Sequence, residues 1–136
     1  MNIELTNKEF RRLLDLVYIG NWILNSTRPE DDRIEDYDDI QEKLFSQCGK
    51  AGMLALIQVW QGHVFPSKAY EEGGIHEAIA DYEDAVFFDI LAEELARRDM
   101  DFEHVNQNDV NELNSRMGEY LSEFESNGVN NIVIES

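Results

Sequence analysis

The chain of 136 residues carries 29 acidic and 11 basic side chains, a formal net charge of −18, which repels phosphate backbones and anionic lipid and so excludes nucleic acid and membrane surfaces as expected partners. Its apolar fraction of 43% is that of an ordinary globular protein, so it reads as one domain spanning residues 1–136 and not as a disordered acidic segment. A single cysteine, Cys48, excludes an intrachain disulfide and a cysteine-based zinc site.

"NIELTNKEF" alternates Ile3 and Leu5 with polar residues and then meets Thr6-x-x-Glu9, a capping-box pattern. A helix is predicted to follow, with Phe10, Leu13, Leu14, Val17, Tyr18 and Leu24 on one side. Leu16, Ile19, Trp22 and Ile23 broaden the apolar surface nearly all round, so this helix is expected to be central. Gly20 lies inside it, which implies close approach of another element. The apolar stretch Leu13–Leu24 is too short to span a bilayer and is broken by Asp15, Gly20 and Asn21. With no basic-then-apolar leader at the N-terminus, the expected location is the cytoplasm.

A second helix is predicted after Pro29 and the acids Glu30, Asp31 and Asp32, capped by Ser26 or Thr27. It carries Ile34, Tyr37, Gln41, Leu44, Phe45 and Cys48 at helical spacing. Cys48 therefore reads as a small core residue and not as a nucleophile. "MLALIQVW", Met53 to Trp60, is apolar throughout, and its Met, Leu and Ala content favours helix over strand. "QGHVFPSKAYEEGG" reads as a loop, in which Ser67 is a turn residue. A last helix is expected from Asn108 or Asp109, with a stripe of Val110, Leu113, Met117, Leu121 and Phe124, stopping at Asn127-Gly128. The terminal "NNIVIES" is β-prone and is expected to pair with the N-terminal run.

The longest helix, about Ile75 to Arg98, has a stripe that changes sides. Ile75, Ala78, Ile79, Tyr82 and Val86 share a face in the first half; Phe88, Leu91 and Leu95 occupy the opposite side in the second. Such a helix must be covered on different sides at its two ends, between two layers or against a second copy through Phe88, Leu91 and Leu95. Asp89, set between Phe87-Phe88 and Ile90-Leu91, reads as a partly buried carboxylate. Glu93–Arg97 and Glu94–Arg98 form a surface ladder.

No Glu-x-x-His repeat, phosphate-cradling glycine loop or nucleophile elbow is present. His63, His76 and His104 lack ligand spacing, so no cofactor or transition-metal site is expected. Two acidic pairs, Asp36 with Asp39 and Asp81 with Asp84, could each grip a hard cation, because i, i+3 carboxylates share a face. The plainer explanation is a solvated acidic surface.

These features lead to a mainly α, single-domain bundle of four or five helices with a minor β pair formed by the two termini. The expected function is a non-enzymatic protein-interaction module presenting an acidic surface to a basic partner. Asp36, Asp39, Asp81 and Asp84 supply the field, and Trp60, Phe65 and Tyr70 supply aromatic anchors. The alternative is a magnesium-dependent helical hydrolase of nucleotides or phosphate esters, using the same four carboxylates.

Overall fold

The computed structural model describes residues 1–100 and 109–135. The protein is mainly α with a minor β pair. Four long helices are described: α1 (Asn7–Asn25), α2 (Glu35–Phe45), α4 (His76–Asp99) and α5 (Asp109–Asn127). A hairpin of β1 (Ile57–Trp60) and β2 (His63–Pro66) and the single turn α3 (Lys68–Tyr70) separate α2 from α4. Contacts divide the chain into two compact units, Met1–Ile79 and Ala80–Ser136. No helix among the described residues is long and apolar enough to cross a membrane.

In the first unit, α1 starts where the capping box places it. Thr6 Oγ1 accepts from the Glu9 amide at 3.1 Å, and Glu9 Oε1 accepts from the Thr6 amide at 2.9 Å. The helix is not buried all round, however: Leu16, Trp22, Ile23 and Leu24 are exposed, and its buried line is Leu14, Tyr18, Asn21 and Asn25. Nor does any described residue approach Gly20, where an added Cβ would meet none of their atoms within 4 Å. The core joins Leu14 and Tyr18 to Phe45, Cys48, Tyr70, Ile75 and Ile79. Cys48 is fully buried, as its spacing predicts.

The β pair is not made by the termini. Residues 1–6 and 132–135 form no strand, and the antiparallel pair is internal, with Ile57 opposite Pro66 and Trp60 opposite His63. Met53–Trp60 is thus a short 3-10 turn, Leu54–Leu56, running into a strand, and not a helix. The β-branched Ile57 and Val59 outweigh the helix-forming residues before them. Gln61 and Gly62 close the hairpin with φ of 48° and 79°, the positive values at both central positions that a type I′ turn requires. Ser67 is a structural turn residue: its hydroxyl donates to the Ala55 carbonyl at 2.6 Å and accepts from the Tyr70 amide at 3.1 Å.

Helix α4 enters after a kink at Gly74, whose φ of 113° suits glycine. Only its first turn, His76–Ile79, belongs to the first unit, and of the expected first-half stripe Ile75 and Ile79 are buried whereas Ala78 and Tyr82 are exposed. Ile75 and Ile79 close the first core, the six residues Ala80–Ala85 are exposed, and Ala92 and Ala96 are fully buried in the second unit. Phe88, Leu91 and Leu95 are half-buried there, with the Phe88 and Phe124 rings 5.4 Å apart. Asp89 is exposed and needs no buried partner. Of the expected ladder, Arg97 pairs with Glu93 at 2.9 Å, whereas Arg98 pairs with Asp99. Helix α5 buries Leu113 and Phe124 and ends as its Asn-Gly signal predicts, the Gly128 amide donating to the Phe124 carbonyl at 2.8 Å. Val110 of its stripe is exposed, and Asn108 and His104 lie outside the described residues.

Candidate functional site

The residues best placed to recognise another molecule surround a cleft in the first unit, between the C-terminal half of α1, α2 and the hairpin. A polar line on α1 begins it. Asn25 is fully buried and bonds both backbone groups of Ile34, the residue before α2. Asn21, one turn earlier, donates to Asp38 at 3.0 Å and to Gln41 at 3.1 Å. These bonds set the rotation of α2, so that Asp38, Gln41 and Glu42 face α1 and the hairpin.

Glu42 then fixes the hairpin. Its Oε1 accepts from the Val64 amide at 3.1 Å and from His63 Nδ1 at 3.0 Å, which holds the carboxyl below its usual range. Arg33 donates to Asp38 at 2.7 and 2.9 Å, and this bidentate bond likewise lowers the Asp38 carboxyl.

The resulting cavity, about 400 Å³, is bordered by Tyr18, Asp38, Asp39, Glu42, Phe65 and Glu71. A second hollow of about 310 Å³ shares Tyr18, Asn21, Arg33 and Gln41 with it and reaches Trp22 and Ser26. Four carboxylates therefore face one guanidinium, and Arg33 is already engaged by Asp38. Asp39 and Glu71 form no ion pair among the described residues. The Tyr18 hydroxyl registers this environment: burial first, then the negative charge of Glu71, push it up to about 12. It lies 2.6 Å from His76 Nε2.

Phe65 carries the cleft onto the outer face of the hairpin. The register puts Gln58, Trp60, His63 and Phe65 on one face. Trp60 is 62% and Phe65 47% exposed. Such an arrangement suits a cationic group: carboxylates for its charge, an aromatic wall for its hydrocarbon stem.

Tyr70 is not an anchor, being 1% exposed. Its ring meets Phe45 at 5.1 Å and Tyr18 at 5.3 Å, and its hydroxyl donates to Asp15 at 2.8 Å. Asp36 and Asp39 are both exposed on α2, but only Asp39 borders the cleft. Asp81 and Asp84 are exposed on the part of α4 that belongs to the second unit. Among the described residues no three His, Cys, Asp or Glu side chains are disposed to hold a metal ion. Asp38, Glu42 and Glu71 lie in the acid-dense stretches Glu30–Glu42 and Glu71–Glu94 but are not among the four carboxylates that the sequence singles out, although the i, i+4 spacing of Asp38 and Glu42 does mark a shared face. No family model, curated protein or solved structure matches this chain.

Proposed function

We propose that this protein is an interaction module, cytoplasmic and non-enzymatic, that receives a lysine or arginine side chain of a basic partner in its acidic cleft. The observation that carries this reading is the conjunction of Asp39 and Glu71, two carboxylates without an ion-pair partner among the described residues, with the exposed ring of Phe65 around one cavity. Charge excess alone is only a solubility device; a concave site with an aromatic wall adds shape and an apolar anchor. The long-range field of a −18 chain raises encounter rates with basic surfaces and weakens with salt. Affinity then rests on Phe65 and Trp60, because aromatic anchors dominate interface energetics.

The test is affinity capture from native extract at low and high salt, followed by calorimetry with the partner recovered. A basic protein should elute as salt rises. Phe65→Ala should weaken its binding by about 2 kcal/mol, the scale of a hot-spot residue. Asp39→Asn with Glu71→Gln should reduce both affinity and salt sensitivity. Binding indifferent to all three residues, or no salt-sensitive basic partner, would refute the reading.

A further inference from the structure

A different surface of the first unit carries the opposite character. A groove of about 670 Å³ lies between the N-terminal segment, α1 and α2, with Ile3, Leu5, Phe10, Leu13 and Leu44 in its walls. None of the described acidic residues lines it; its charged side chains are those of Lys43 and Lys50. Neither lysine forms an ion pair among the described residues, whereas every arginine has a carboxylate partner. In so acidic a chain, a basic-rimmed apolar groove selects for an apolar segment that ends in a carboxylate.

The second unit displays such a segment. After α5 the chain runs through Ile132, Val133 and Ile134, which are 43%, 79% and 96% exposed, to Glu135. The amide of Ile132 bonds to the Val129 carbonyl at 3.0 Å, but the backbone groups of residues 133–135 have no partner among the described residues. The same holds for residues 1–5 along the groove. Unpaired backbone beside apolar side chains is what strand addition between molecules uses.

We propose that the groove of one molecule receives the segment Ile132–Glu135 of a second copy. Ile132 and Ile134, which share a face when extended, enter between Phe10 and Leu44, and Glu135 reaches the lysine rim. Each molecule offers one groove and one segment, so two copies close by reciprocal exchange and leave neither feature uncovered. This pairing is between molecules and so differs from the pairing of termini within one chain.

Sedimentation of the full chain over a concentration series tests it, together with titration of a synthetic peptide of residues 129–135. The wild type should dimerise. Val133→Asp with Ile134→Asp, and separately Lys43→Gln with Lys50→Gln, should sediment as monomers with unchanged helical circular dichroism. The peptide should bind the first variant, whose groove is vacant, and bind the lysine variant about tenfold more weakly, a difference on the scale expected for charge pairs at an interface. A dimer that survives both variants would overturn the proposal, as would a peptide that ignores the vacant groove. A monomeric wild type that binds peptide only after its own segment is altered would also overturn it, because the segment would then occupy the groove of its own chain.

Discussion

Asn25 holds both backbone groups of Ile34: its Oδ1 accepts from the amide at 2.8 Å, and its Nδ2 donates to the carbonyl at 3.1 Å. Ile34 is the N-cap of α2, and no side-chain bond caps that helix. A residue at the end of α1 thereby fixes where α2 begins. It also fixes which of the acids on α2 turn toward the cleft.

Asn25→Ala is therefore expected to destabilise strongly. It strands the Ile34 amide and carbonyl and the Asn21 Oδ1 that accepts from Asn25 at 2.7 Å. Each buried group left unpaired costs about 1–3 kcal/mol, which gives a loss of about 2–5 kcal/mol once some water enters. Asn25→Asp keeps the amide bond but sets an acceptor against the Ile34 carbonyl, so it should do no better. Urea unfolding checks both, and a loss under about 1 kcal/mol for the alanine variant would show that the network is dispensable.

The hairpin turn gives a prediction with a sign. Gln61 is the one non-glycine residue at positive φ among the described residues, at 48°. Left-handed backbone costs an ordinary residue about 1–2 kcal/mol, and asparagine tolerates it better. Gln61→Asn should stabilise by about 0.5 kcal/mol, on the scale of such backbone exchanges. Gly62→Ala meets no atom within 4 Å yet must adopt φ of 79°, so it should destabilise by about 1 kcal/mol through backbone strain alone. Thermal melts of the two variants moving in the same direction would contradict the turn geometry.

Cys48 should be chemically silent in the native protein. It is fully buried in the first core, and burial pushes its thiol up, only partly offset by the charge of Arg11. Thiolate is the reactive form, so a disulfide reagent should label Cys48 only through unfolding and stop at one equivalent. Labelling faster than the independently measured unfolding rate would mean that the core opens locally around it.

The elements visible in the sequence are those whose signals are local. The Thr6–Glu9 box, the stripe from Leu113 to Phe124 and the Asn127-Gly128 stop each act within a few residues, and each predicts what forms. The stripe change in α4 was legible only in part: Ile75 and Ile79 are buried on its first face, but Ala78 and Tyr82 are exposed, since a wheel shows which residues share a side without showing what covers it. Asn21 and Asn25 were invisible as core residues because their burial depends on Ile34, Asp38 and Gln41, 9 to 20 positions away. Met53–Trp60 misled because an apolar run has no period; the alternation across Gln61-Gly62 was the better signal. At the cleft, Asp39 and Phe65 were anticipated. Glu71 was legible only as the start of an acid-dense stretch, because its place at the cleft depends on the tertiary path of the turn between α3 and α4. Tyr70 was misplaced for the same reason, having been read as part of an exposed loop.

Alkaline conditions should destabilise the fold through the tyrosines of the first unit. Tyr18 is 7% exposed, and its hydroxyl is pushed from 10.0 to about 12 by burial and by Glu71. Tyr70 is raised as well, by burial and by its bond to Asp15. A raised pKa means that the folded chain keeps a proton that the unfolded chain releases. The contribution is fully present below pH 10, and stability falls as pH climbs toward 12, because the unfolded state then binds fewer protons. At about 1.4 kcal/mol per unit, Tyr18 alone accounts for a loss of about 2–3 kcal/mol across that window. Urea midpoints measured from about pH 9 to about pH 12 should decline, and Tyr18→Phe should flatten the decline by removing the proton at issue. The phenylalanine also forfeits the bond to His76, so the variant should start less stable and lose less. Since rising negative charge on the whole chain acts on both proteins alike, the difference between the two slopes is the deciding quantity; equal slopes would show that the Tyr18 proton is not held by the fold.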